Sequence, residues 1–66
     1  MNYYSVVCND RVMSACPTLQ SAKAYAKRNA GDKPQRWQIW AGDETWETIL
    51  DKTMKAKWKL AECKDF

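Results

Sequence analysis

The sequence has 66 residues, of which 45% are hydrophobic and 29% charged, with a formal net charge of +3. These values predict one soluble globular domain over residues 1–66, with a small core. Histidine is absent, which excludes His-dependent catalytic triads and His-containing zinc sites. No apolar run approaches the ~20 residues of a membrane span, so we expect no membrane partner.

The first residues and the cysteines indicate a compartment. No basic stretch followed by an apolar one opens the chain, so we expect no secretory signal and a cytoplasmic protein. Cys8, Cys16 and Cys63 are widely spaced and form no C-x-x-C pair, which argues against a zinc or redox motif. We expect free thiols that are buried or half-buried, and neither a metal nor a cofactor.

The first predicted elements are two strands at residues 3–8 and 11–15. Asn9 and Asp10 join them, because both residue types tolerate the positive φ angles of a two-residue hairpin turn. An uninterrupted register from this turn brings five residues to the more apolar face, which we predict to be the core face. They are Tyr4, Val6, Cys8, Met13 and Ala15.

A helix is predicted over residues 19–30. Pro17 ends the preceding strand, Thr18 is a candidate N-cap with Ser21 three residues later, and Gly31 is a natural residue to follow the helix. Small side chains recur at helical spacing and predict close packing on a sheet. This stripe consists of Leu19, Ala22, Ala26 and Ala30, flanked by Tyr25.

Two further strands are predicted at residues 36–41 and 45–50, joined by a turn at residues 42–43. Another is predicted at residues 54–60, after a connecting turn at residues 51–53, because apolar residues alternate with lysines there. A helix over residues 45–60 is the alternative to the last two strands, and the sequence leaves it open. The element order ββαβββ predicts an α+β fold, an antiparallel sheet with one helix packed on one face. Residues 62–66 are predicted to be a tail that frays.

The hairpin register divides the four tryptophans. Pairing Ile39 with Trp46 places both on one face with Trp37, and we predict a core cluster there that Trp58 can join. Trp40 falls on the opposite face, where it would be an exposed anchor for a protein interface. Cover by the chain end or by a second copy is the alternative for Trp40.

Lysines form two candidate binding sets. In a strand at residues 54–60 the first set would share one face, either as a phosphate-contacting row or as a solvated edge that prevents aggregation. This set is Lys55, Lys57 and Lys59. The second set lies on the helix away from the apolar stripe, and is either solvated or directed at a partner with an acidic groove or at a DNA backbone. It consists of Lys23, Lys27 and Arg28, followed by Lys33 after the helix.

An enzyme is not expected. Gly31 and Gly42 are the only glycines, so no glycine-rich phosphate loop exists, and no local motif combines a nucleophile with a base. We predict no catalytic residue.

The order of elements resembles that of small phage and prophage accessory proteins, including anti-CRISPR proteins of similar length. The resemblance lies in a first strand at residues 2–7 (NYYSVV), a T-L-x-x-A-K-x-x-A helix at residues 18–27, and tryptophan-bearing strands after it. It implies a compact, non-enzymatic protein that binds a host complex and blocks or redirects it in the host cytoplasm. It assigns a function to no individual residue.

The leading hypothesis is therefore a phage-type inhibitor or modulator that occludes a host protein complex. Its predicted partner-binding residues are Trp40, Lys55, Lys57, Lys59, Lys23, Lys27 and Arg28. A nucleic-acid-binding module that uses the lysine row and exposed aromatic side chains, with Trp40 stacking on a base, is the first alternative, and a structural homodimer is the second.

Overall fold

The computed structural model of the protein describes residues 3–62, and in these residues one helix lies beside a five-stranded antiparallel sheet. The elements in chain order are β1 (Tyr4–Cys8), β2 (Arg11–Cys16), α1 (Leu19–Asn29), β3 (Gln35–Ala41), β4 (Glu44–Leu50) and β5 (Lys59–Glu62). The strand order across the sheet is β2-β1-β3-β4-β5. The predicted α+β class and the order ββαβββ are confirmed.

The β1–β2 hairpin contains a bulge. Asn9 and Asp10 have φ angles of 50° and 66°, as the predicted two-residue turn requires. Near the turn Val7 pairs with Val12, but Val6, the residue before it in β1, pairs with Ser14. Met13 is therefore an extra residue in β2, and the predicted uninterrupted register is wrong beyond it.

The bulge changes which residues of β2 reach the core. Met13 and Ala15, predicted for the core face, are exposed, while Cys16 is buried in the core instead. One inserted residue moves every later side chain to the other face, which accounts for the exchange. The predictions for β1 are confirmed, because Val6 and Cys8 are buried in the core and Tyr4 packs against it.

Helix α1 begins as predicted. The Thr18 hydroxyl accepts a hydrogen bond from the Ser21 backbone N–H at 3.0 Å, and the Ser21 hydroxyl accepts one from the Thr18 N–H at 3.2 Å. This reciprocal pair is a capping box. At the other end Ala30 is extended, and Gly31 does not have a positive φ angle, so the helix stops without a left-handed residue.

The core lies between α1 and the sheet. Ala22 and Ala26 are fully buried against Trp37, Ile39 and their neighbours, because side chains this small let the helix approach the strands closely. The β3–β4 register is the predicted one, with Ile39 opposite Trp46. Two residues of the last segment, Ala56 and Trp58, pack against the same core.

Residues 51–58 form a turn and an irregular stretch between β4 and β5. The predicted strand over residues 54–60 therefore exists only from Lys59 onward, and the helical alternative is excluded. Glu62 belongs to β5 rather than to a tail. The other predicted tail residues, with Cys63 among them, lie outside the described part of the chain.

The face of the sheet opposite α1 has no helix over it within residues 3–62. We call it the open face and define it by the residues that alternate with the core positions, namely Val7, Gln38, Trp40, Glu47 and Ile49. Within the same residues no helix has the length and apolar character needed to cross a bilayer.

Candidate interaction surface

Trp40 stands on the open face of β3. Trp37, three residues earlier on the same strand, is 1% exposed in the core, whereas Trp40 is 41% exposed. The Trp40 indole N–H donates a hydrogen bond to the Gln38 side-chain oxygen at 3.3 Å, which favours one orientation of the ring. The predicted exposure of Trp40 is confirmed, and its role as an anchor stays a prediction.

A shallow depression of about 320 Å³ lies beside Trp40 and reaches the edge strand β2. Its lining is mostly apolar and includes Val7, Val12 and Trp40, with Ser5 and Asp10 at its border. Val12 is 69% exposed, although it is a β-branched side chain within a strand. The aromatic ring and the depression together form a continuous apolar patch on the open face.

Polar side chains cross the open face next to this patch. The Gln38 side-chain amide donates to Glu47 at 3.3 Å, and the Arg36 guanidinium donates to the same carboxylate oxygen. A second carboxylate, Asp10, lies 3.9 Å from Arg36. The hydrogen bond and charge of Glu47 raise the pKa of Arg36 further, so the guanidinium stays charged but paired. The centre of the open face therefore carries little net charge.

The lysine row lines a groove at the other end of the open face. We call this groove the basic groove. It has a volume of about 940 Å³ and lies between β4 and residues 54–60. Its basic residues are Arg36, Lys55, Lys57 and Lys59, and its remaining lining is Glu47, Thr48, Ile49, Met54 and Leu60. The predicted row is thus present, although only its last lysine lies in a strand.

A turn after β4 sets the path of the lysine row. The Asp51 carboxylate accepts hydrogen bonds from the Thr53 N–H at 2.8 Å and the Thr53 hydroxyl at 2.6 Å. These hydrogen bonds lower the pKa of Asp51. The Met54 N–H donates to the Asp51 carbonyl at 3.2 Å and completes the turn. Further along, the Lys57 N–H donates to the Thr48 hydroxyl at 3.2 Å, which holds the row against β4.

Hydrogen bonds from Lys27 connect the same turn to the helix. Its ammonium donates to the Lys52 carbonyl at 3.1 Å and also to the Met54 carbonyl. The Lys52 N–H in turn donates to the Gly31 carbonyl at 2.9 Å, just beyond α1. Lys27 therefore has a structural role that the sequence analysis missed, beside its predicted role at an interface.

The two predicted cation sets belong to different parts of the fold, the helix and the last segment. Lys23 is half-buried and Arg28 exposed on α1, which covers the core face. Trp40 and Lys59 belong to the open face, since each alternates with core-facing neighbours. Lys59 of the lysine row therefore lies on the same side as Trp40, away from Lys23 and Arg28. Lys27 is the exception in the helix set, because its ammonium donates to the carbonyl of Met54, which lines the basic groove.

The described residues form no metal centre, and two of their cysteines are free thiols. No group of three or more His, Cys, Asp and Glu side chains within residues 3–62 could hold a metal ion. Cys8 and Cys16 are free and buried. Burial raises the pKa of the Cys8 thiol, which keeps it protonated and unreactive near neutral pH.

Comparison with known proteins gives no family for this chain. No protein-family model matches the sequence, and no curated protein and no solved structure matches it either. Functional inference therefore depends on the surfaces described above.

Proposed function

We propose that the protein is a non-enzymatic inhibitor or modulator of phage type, which binds a host protein complex and occludes one of its surfaces. The open face is the interface, and Trp40 is its anchor. The resemblance to small phage proteins suggests the kind of target. Two free, buried thiols suit a reducing compartment, so we place the encounter in the cytoplasm.

The observation that carries this proposal is the exposed Trp40, oriented by Gln38, beside an apolar depression. Tryptophan is among the residues that contribute most at protein interfaces, especially where surrounding contacts exclude water. The neighbouring Arg36 is paired with Glu47, so a partner meets an apolar patch with a nearly neutral border. This composition suits a protein surface better than a phosphate backbone.

A nucleic-acid-binding module is the second candidate, and the lysine row along the basic groove favours it. Binding of that kind weakens steeply as salt is raised, because each contacted phosphate releases counterions. The arrangement of the two surfaces counts against this candidate. Trp40, the exposed ring on which a base could stack, lines a different depression from the lysine row.

Capture from a bacterial lysate tests the proposal. We would compare tagged wild-type protein with Trp40→Ala and with Gln20→Ala, a control on the exposed surface of α1. After nuclease treatment and at moderate salt, we expect the wild type and Gln20→Ala to retain the same host complex and Trp40→Ala to lose it. Equal capture by Trp40→Ala contradicts the proposal.

Two other outcomes would favour the alternatives. Retention of nucleic acid alone, abolished by nuclease or by modest salt, would favour the second candidate. Capture of no host protein, together with a dimer in solution that Trp40→Ala dissociates, would favour the structural homodimer.

A further inference from the structure

We propose that the basic groove binds an extended segment of the partner polypeptide in which acidic residues alternate with apolar ones. This inference rests on the proposed function, because it assigns the chemistry of a second contact with the same protein partner.

The charges of the basic groove favour an acidic ligand. Lys55, Lys57 and Lys59 are exposed, and no ion pair within residues 3–62 includes any of them. The fourth cation of the groove, Arg36, is already paired with Glu47. The free positive charge of the groove is therefore concentrated in the lysine row, which complements a ligand with several carboxylates.

The spacing of the lysine row matches that of an extended peptide. The three lysines occupy every second position, while the residues between them, Ala56 and Trp58, pack against the core. Side chains on one face of an extended peptide also recur at every second residue. An extended segment with a carboxylate at alternate positions therefore matches the repeat of the row.

The apolar residues in the lining of the groove favour a polypeptide ligand. Ile49 and Leu60 are 52% and 63% exposed, and Met54 is exposed beside them. Aliphatic side chains there give the residues between the carboxylates something to bury against. No aromatic ring among the described residues lines the groove, whereas single-stranded nucleic acid binds by stacking its bases on such rings. The lining therefore favours a polypeptide over a nucleic acid.

Part of strand β4 beside the groove is not paired with β5. β5 pairs with β4 only from Glu44 to Glu47, so the rest of β4, through Leu50, has no ladder to β5. The groove opens where this ladder ends. An extended segment can dock along such an interrupted edge, where backbone contacts would add affinity and the lysine row would select for acidic residues.

Fluorescence anisotropy with synthetic probes tests this inference. The main probe is a labelled peptide in which every second residue is Glu and the residues between are Leu and Ser. The comparison probes are the same peptide with Gln for each Glu, and a labelled single-stranded oligothymidylate. We expect the Glu peptide to bind, the Gln peptide not to bind, and the oligothymidylate to bind more weakly than the Glu peptide.

Two charge reversals identify the site. Lys57→Glu should weaken binding of the Glu peptide by about tenfold, because it removes one attraction and adds one repulsion. Lys33→Glu makes the same charge change at an exposed position in the loop after α1 that does not line the groove, and should leave the affinity much less changed than Lys57→Glu does. Absence of binding, equal affinity for Lys57→Glu, or stronger binding of the oligothymidylate would overturn the inference.

Trp40→Ala separates this inference from the proposed function. It should bind the Glu peptide as the wild type does, because Trp40 does not line the basic groove. The effect of Lys57→Glu on peptide binding therefore tests the groove. The effect of Trp40→Ala on capture of the host complex tests the open face.

Discussion

The two faces of the sheet use the same strand in different ways. On β3, Trp37 points into the core and is fully buried, and Trp40 points to the open face and is exposed. The core face is closed by the small side chains of α1, whereas the open face has no such cover among residues 3–62. Within the described residues the one helix covers only one side of the five-stranded sheet, and the other side is the one on which we propose that the partner binds.

The two faces also differ in how they manage polar groups. Among the described residues, the Trp37 indole N–H is buried without a hydrogen-bond partner, while the Trp40 indole N–H is bonded to Gln38. On the open face Gln38, Arg36 and Glu47 satisfy one another across β3 and β4. This chain therefore holds its core by packing, and hydrogen bonds orient the side chains of its open face.

The largest expected effect is on stability, from Trp37→Ala. Removing a fully buried tryptophan should cost about 3–5 kcal/mol. Because small domains are only marginally stable, we expect this variant to be largely unfolded. Urea denaturation followed by circular dichroism measures the loss. A cost below about 1 kcal/mol, within the range of surface substitutions, would show that Trp37 is not a core residue.

The matched change on the other face is Trp40→Ala. It should cost less than about 1 kcal/mol of stability, because the ring is exposed and its single hydrogen bond is near solvent. Its affinity for a captured partner should fall by at least about thirtyfold, the effect expected of a hot-spot residue. Calorimetric titration measures the affinity. Unfolding of this variant, or an unchanged affinity, would remove the distinction between the two faces.

A smaller effect is expected at the turn that positions the basic groove. Lys27→Met keeps the aliphatic stem but removes the ammonium that donates to the Lys52 and Met54 carbonyls, and should cost about 1 kcal/mol. Arg28→Met is the control, since Arg28 is the exposed neighbour on α1. Urea denaturation of both variants gives the comparison, and equal stability would mean that Lys27 does not hold the turn.

The smallest effect is a pH dependence from Asp51. The pKa of its carboxyl is below the ordinary value of 3.8, because Thr53 donates hydrogen bonds to the charged form. The resulting stability is present above pH 3.8 and is lost as the pH falls through the lowered pKa of the folded state. The melting temperature of Asp51→Asn should therefore fall less with acidification than that of the wild type. Parallel curves for the two proteins would contradict this assignment.

Local sequence signals accounted for most of the fold. The Asn9-Asp10 turn, the Thr18 capping box and the β3–β4 register each follow from a short motif with its own physical cause. The bulge at Met13 does not, because two alternating patterns in β2 are similarly apolar and their choice depends on packing against the rest of the sheet.

The surface was harder to predict. The exposure of Trp40 follows from alternation along β3, but the Arg36–Glu47 pair requires the three-dimensional arrangement of two strands. The lysine alternation was interpreted as a strand, although it reflects Ala56 and Trp58 packing against the core without a ladder. The turn before it at residues 51–53 was predicted correctly, since an Asp that accepts a hydrogen bond from the N–H two residues later is typical of a turn.

The central claim is that the open face, rather than the helix surface, meets the partner. The most direct measurement is an NMR spectrum of the isotope-labelled protein with and without the captured host complex. We expect the Trp40 indole signal and the backbone amides of Gln38 and Lys57 to shift or broaden selectively, while the amides of Gln20 and Arg28 on α1 do not. Selective changes at the α1 amides, with the Trp40 indole signal unaffected, would contradict the account.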